Sequence, residues 1–156
     1  MATLTVTIEE SLTLNGKDRG SKNTLTVTGV NEVFHRIVSC PNTADTTVAT
    51  FQTAVSTSDV AIDLEDTVYL RVTNLDSSNA VTLSLQVSAG ENGTADSSAS
   101  VLLDAEKSFM LGTIHDGIAL DDDAATVITT LTDLESLVIS NSSGAAVDVE
   151  VFVATS

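Results

Sequence analysis

The chain has 156 residues, 42% of them hydrophobic, and carries 22 acids against six Lys plus Arg, for a formal charge of −16. It is long enough for a β-sandwich core without disulfide or metal staples, and too apolar for a disordered acidic chain. Its charge repels phosphate backbones and anionic membranes, and the scattered Phe34, Phe51, Tyr69, Phe109 and Phe152 make no base-stacking platform, so neither nucleic acid nor membrane is an expected partner.

In chain order, residues 3–9 alternate Leu4, Val6 and Ile8 against Thr3, Thr5, Thr7 and Glu9, the period-two pattern of a half-buried strand. The same opening, MATLTVTIEES, lacks the basic and apolar regions of a signal peptide, so synthesis in a cytoplasm is expected. Residues 15–23 (NGKDRGSKN) read as a turn-rich loop opened by Asn15-Gly16, and 24–28 alternate again with Leu25 and Val27 inward. Residues 32–40 set Val33, His35 and Ile37 on one face and Phe34, Arg36 and Val38 on the other. Both faces are partly apolar, which predicts a strand covered on two sides, the second cover being a neighbouring subunit. Pro41 ends it, since proline cannot donate to a ladder. Shorter strands are expected at 46–51, 60–64, 99–103 and 118–120, and 91–98 is a plain loop. In 121–134 (DDDAATVITTLTDL), Val127, Ile128, Leu131 and Leu134 at helical spacing permit one short helix, whereas the threonines favour extended chain.

One plan occurs twice. Residues 68–87 (VYLRVTNLDSSNAVTLSLQV) and 137–153 (LVISNSSGAAVDVEVFV) each join two alternating runs through an Asn-led polar turn, and each follows an Asp-Leu-Glu triplet. Such runs read as β-hairpins with Val81, Leu83, Leu85 and Val87, and Val147, Val149, Val151 and Val153, facing a core. About ten short strands with frequent turns predict an all-β fold. The expected architecture is an antiparallel β-sandwich, jelly-roll or Ig-like Greek key, with at most one short helix, in a single domain spanning 1–156.

No catalytic, cofactor-binding or metal residue is assigned, and an enzyme is not expected. His35 alternates with Val33 and Ile37 as a packed or interfacial residue, and His115 reads as a turn residue; neither lies in a hydrolase or metalloprotease motif. Asp116 with Asp121, Asp122 and Asp123 is the best calcium candidate, but consecutive acids diverge where calcium needs six to eight converging oxygens. Cys40 has no basic neighbours to activate it and reads as a small buried apolar residue. The charge layout is more telling. Lys17, Arg19 and Lys22 are half of all the basic residues, in one N-terminal loop of an otherwise acidic chain. That loop and the two-faced strand, Val33, Phe34, His35, Arg36, Ile37 and Val38, are the candidate interface, able to dock on an acidic neighbour or on a second copy head-to-tail.

The stretches MATLTVTIEESLTLNG, NEVFHRIVSCP and ESLVISNSSGAAVDVEVFVA, in a Thr/Ser/Ala/Val-rich and aromatic-poor composition, resemble the small accessory structural proteins of tailed bacteriophage virions. The resemblance implies a non-enzymatic β-domain assembled in many copies on a capsid or tail, made in the host cytoplasm and located in the virion. The expected role is a capsid decoration (cement) protein on the major capsid protein, a homo-oligomer with a trimer favoured, without cofactors. The alternatives are a head–tail or tail accessory ring or fibre subunit, and a carbohydrate- or calcium-binding β-sandwich module.

Overall fold

The alternating pattern becomes strand almost throughout. The structure is a computed structural model that describes residues 2–52, 61–87, 97–112, 118 and 131–156. Its strands are β1 (Ala2–Glu10), β2 (Thr13–Leu14), β3 (Lys17–Asp18), β4 (Ser21–Val30), β5 (Glu32–Cys40), β6 (Ala44–Gln52) and β7 (Ala61–Asp63). They continue as β8 (Thr67–Asn74), β9 (Val81–Val87), β10 (Ser97–Leu103), β11 (Ser108–Leu111), β12 (Leu134–Asn141) and β13 (Val147–Thr155). The described residues contain no helix. Most of the helix expected at 121–134 lies outside them, and at its described end Thr132 bridges Ile118 while Leu134 opens β12. Of the strand expected at 118–120 only Ile118 is described, with that single bridge. β11 is an addition: four residues are too few to show alternation.

Two sheets face each other. One runs β11-β8-β13-β5 and the other β10-β9-β12-β6-β7, antiparallel except for the parallel pair β6–β7. In each sheet a late strand is slotted between two earlier ones, β13 between β5 and β8, and β12 between β6 and β9. That interlocking of two Greek keys is the jelly-roll arrangement. The core between the sheets contains both valine-rich rows that the alternation assigns to it, with Leu83, Val147, Val149, Val151 and Val153 wholly buried, whereas Leu25, also read as inward, is exposed on β4 outside that core. Leu64 and Leu134, the leucines of the two Asp-Leu-Glu triplets, are buried in the same core.

The duplicated unit is not a hairpin. β8 lies in one sheet and β9 in the other, and β12 and β13 are divided the same way, so each Asn-led turn is an arch that carries the chain across the core. Alternation reports that one face is buried; it does not report whether the next run pairs beside the first or stacks opposite it. The two copies then pair with each other, β8 with β13 and β9 with β12. The β5–β6 and β10–β11 connections are also arches, and the registers Val147↔Cys40, Val149↔Asn74 and Leu103↔Val81 place all four at one end of the sandwich.

Arches take backbone groups out of the ladders, and buried groups left unpaired are costly. Two buried asparagines answer that demand, each leading one copy of the repeat. Asn141 Nδ2 donates to the carbonyls of Ala145 (2.9 Å) in its own arch and Cys40 (2.8 Å) in the next, while its Oδ1 accepts from Ser143 N (3.0 Å). Asn74 does the same: Nδ2 donates to Asn79 O (2.8 Å) and, across arches, to Leu103 O (3.1 Å), and Oδ1 accepts from Asp76 N (3.0 Å). Thr43 and Glu106 adopt left-handed backbone (φ 62° and 61°) at matching places in the other two arches. Their amides are tied to Asn141 O and Asp76 O, which holds a conformation that side chains with a Cβ disfavour.

β1 and β4 stand apart as an antiparallel arm. Asn15 and Gly16, both with positive φ (52° and 72°), make the tight turn between β2 and β3 at its tip, so within the segment 15–23 only Asn15-Gly16 and Arg19-Gly20 lie outside strands. Gly29 (φ 84°) sits at the register shift where the arm leaves the body. At Gly20 a Cβ would lie 2.2 Å from the Glu10 carbonyl, so the tip closes only around glycine there.

Replacing Asn141 or Asn74 by Ala should each lower the unfolding free energy by about 2–3 kcal/mol in urea titrations, since buried carbonyls lose their donor. Ser142→Ala, at an exposed position in the same turn, should change it by less than about 0.5 kcal/mol.

Candidate interaction surface

The arm crosses the outer face of the β11-β8-β13-β5 sheet. Its root packs Leu4, Val6, Val27 and Val30 on Tyr69, Phe152 and Ala154 of β8 and β13. Further out, Leu25 approaches Gly112, just beyond β11, and Ile8 shares with Met110 a groove of about 470 Å³ between arm and sheet. The direction of travel is thus from β13 toward β11, and the residues past Ile8 and Leu25 leave the apolar clusters of the body. Cross-strand Thr pairs, Thr3↔Thr28, Thr5↔Thr26 and Thr7↔Thr24, line the arm's solvent face and add to an otherwise marginal two-stranded sheet.

The sequence-expected cations all lie at the arm tip. Lys22 pairs with Glu9 (3.1 Å) with both side chains well exposed, the Ser21 hydroxyl donates to Glu10, and Asp18 accepts from Gly20 N (2.8 Å). Every arm carboxylate is therefore engaged within the arm. Lys17 and Arg19 have no ion pair among the described residues, and they sit beside Leu12 and Leu14, 53% and 54% exposed. Leucines at a solvated tip contribute nothing to their own core.

The second group of expected residues occupies β5, an edge strand at the opposite side of the same sheet. Phe34 and Val38 pack on the core, and the Arg36 guanidinium lies over the Phe34 ring at 5.1 Å. Val33, His35 and Ile37 face outward as the alternation requires, with Val33 47% and Ile37 63% exposed. In the single chain the strand is thus covered on one side only. The basic loop and the two-faced strand do not converge into one site; they lie at opposite edges.

Between them runs a polar row that sequence reasoning does not find. His35 Nε2 donates to Glu150 Oε1 (2.7 Å) and the Arg71 guanidinium to Glu150 Oε2 (2.7 Å). Arg71 also bonds Thr73 Oγ1, which in turn meets Ser108 Oγ at 2.8 Å, so the row spans β5, β13, β8 and β11. The hydrogen bond from His35, then that from Arg71, holds the Glu150 carboxyl below the ordinary carboxylate range. Among the described residues the side-chain hydrogen-bond partner of His35 is the Glu150 carboxylate. The only signal in the sequence is that these residues occupy outward positions; the strand order that joins them is not visible there. Burial beneath the arm pushes the Tyr69 phenol up, and burial in the core pushes the Cys40 thiol up, in keeping with an inert structural cysteine.

Among the described residues no three His, Cys, Asp or Glu side chains gather to hold a metal. His115, Asp116, Asp121, Asp122 and Asp123 lie outside the described residues. The chain matches no protein-family model, no curated protein and no solved structure.

Glu150→Gln should cost about 1 kcal/mol of stability at neutral pH, the modest value expected of a partly exposed network. Because the folded carboxyl titrates below its ordinary value of 4.5, its contribution is present above that pH and is lost as pH falls through the lower folded value. Urea denaturation of both proteins should therefore show a gap at pH 7 that closes in acid.

Proposed function

We propose that the chain is a non-enzymatic virion structural subunit, a capsid decoration (cement) protein of a tailed bacteriophage that is present in many copies. The observation that carries the reading is the N-terminal arm, whose outer part presents Leu12, Leu14, Lys17 and Arg19 beyond its own core. Such a segment stabilises a neighbour, not the subunit that bears it. The jelly-roll body supports the same role, because its arches are closed by internal asparagine bonds and the outer row of its edge strand β5 remains open for contact. A strongly acidic exterior keeps a dense protein lattice soluble. The partners are the major capsid protein or other virion subunits, together with further copies of the chain. Fold alone carries no function, so the weight rests on the arm and on the sequence resemblance.

Quantitative mass spectrometry of purified particles of the encoding virus is the test. Hundreds of copies per head are expected. On the order of six to twelve copies, as symmetry closure at a neck demands, would assign the chain to a head–tail ring instead. Absence from the particle would end the virion reading.

A further inference from the structure

We infer that the arm tip of one copy docks on the outer face of β5 of a second copy, with Leu12 and Leu14 against Val33 and Ile37 and with Lys17 and Arg19 toward Asp148. The two surfaces are matched in kind. The donor is a pair of exposed leucines beside two cations that have no carboxylate partner among the described residues. The acceptor is a pair of exposed aliphatic residues on an edge strand, with an exposed carboxylate beside them on the same face. Asp148 lies across from Ser39 in the β13–β5 ladder, two residues along from Ile37, and is exposed between the buried Val147 and Val149. Asp148 has no ion pair among the described residues, whereas Glu150 on the same face is already held by His35 and Arg71.

The overall charge favours the same partner. Arm residues 2–30 hold Lys17, Arg19 and Lys22 against Glu9, Glu10 and Asp18 and are neutral, so the whole charge of −16 resides in the rest of the chain. A neutral arm with a cationic tip can approach a second acidic body that would repel its own. Geometry excludes the same copy as the acceptor: the arm runs toward the β11 edge, and β5 is the opposite edge of that sheet. Donor and acceptor on opposite edges form a head-to-tail contact, which generates a ring where the rotation closes. The contact also covers the apolar outer row of an edge strand that the single chain leaves open.

This inference rests on the assembly reading above for its setting but is tested on the isolated chain, so absence of the protein from virions and failure of the arm contact are separate results. Native mass by light scattering should show an oligomer that weakens with salt. The variant K17E/R19E and, separately, the variant D148K should each raise the concentration for half-assembly about tenfold or more, as attraction between exposed charges turns into repulsion. Ile37→Asp should do the same without changing the tip. Combining K17E, R19E and D148K in one chain restores opposite charges at each contact and should restore the oligomer. Circular dichroism of each variant checks folding. A monomeric wild type at high concentration, unchanged mass in the variants, or no rescue on recombination would each overturn the inference.

Discussion

Four arches at one end of the sandwich carry the chain between the sheets, and two buried asparagine side chains tie them together. Asn74 and Asn141 each hold their own turn in shape and reach across to a carbonyl of the next arch, Leu103 in one case and Cys40 in the other. A hydrogen bond of this kind contributes modestly when made and costs more when one buried partner is removed. Because each asparagine joins two arches, the four sheet-crossing connections form two tied pairs, and the strands that each pair links are held at a common end. The valine rows of β9 and β13 can then close on each other.

The first thirty residues lie outside the two-sheet core. The arm is anchored by Leu4, Val6, Val27 and Val30 over Tyr69 and Phe152, Leu25 and Ile8 reach Gly112 and Met110, and the tip beyond them lies outside the apolar clusters of the body. The polar row of His35, Glu150 and Arg71 is internally neutralised, which leaves Asp148 as the carboxylate on that face open to a partner. Structure and electrostatics therefore divide the chain into a self-sufficient acidic sandwich and a neutral extension directed outward. The proposed role in a many-copy shell follows from that division.

Much of the strand content was legible in the residues. Glu32–Cys40 is bounded as alternation and Pro41 demand, and the two valine-rich rows are core as read. The repeat was legible as a repeat but not as an arch, because period two says which side chains are buried and nothing about which sheet the following strand joins. The asparagines that lead both copies carried the missing information: a buried Asn at a strand end fastens a crossing, whereas a solvated hairpin turn does not require one. β11 and the β2–β3 ladder were too short to show a period. On the functional side, the clustering of Lys17, Arg19 and Lys22 and the two-faced character of β5 were visible, while their placement at opposite edges and the Glu150 network depended on strand order.

Amide hydrogen exchange, compared between dilute monomer and assembled protein, tests most directly the claim that the arm belongs to a partner. The account predicts that amides of Val72, Leu83, Ile139 and Val151 exchange only through global unfolding in both states, while those of Leu14, Lys17 and Arg19, held by the short β2–β3 ladder and the Arg19 N–Leu12 O bond, exchange by local opening in the monomer and slow about tenfold or more on assembly. Tip amides that exchange at the same rate in both states would contradict it.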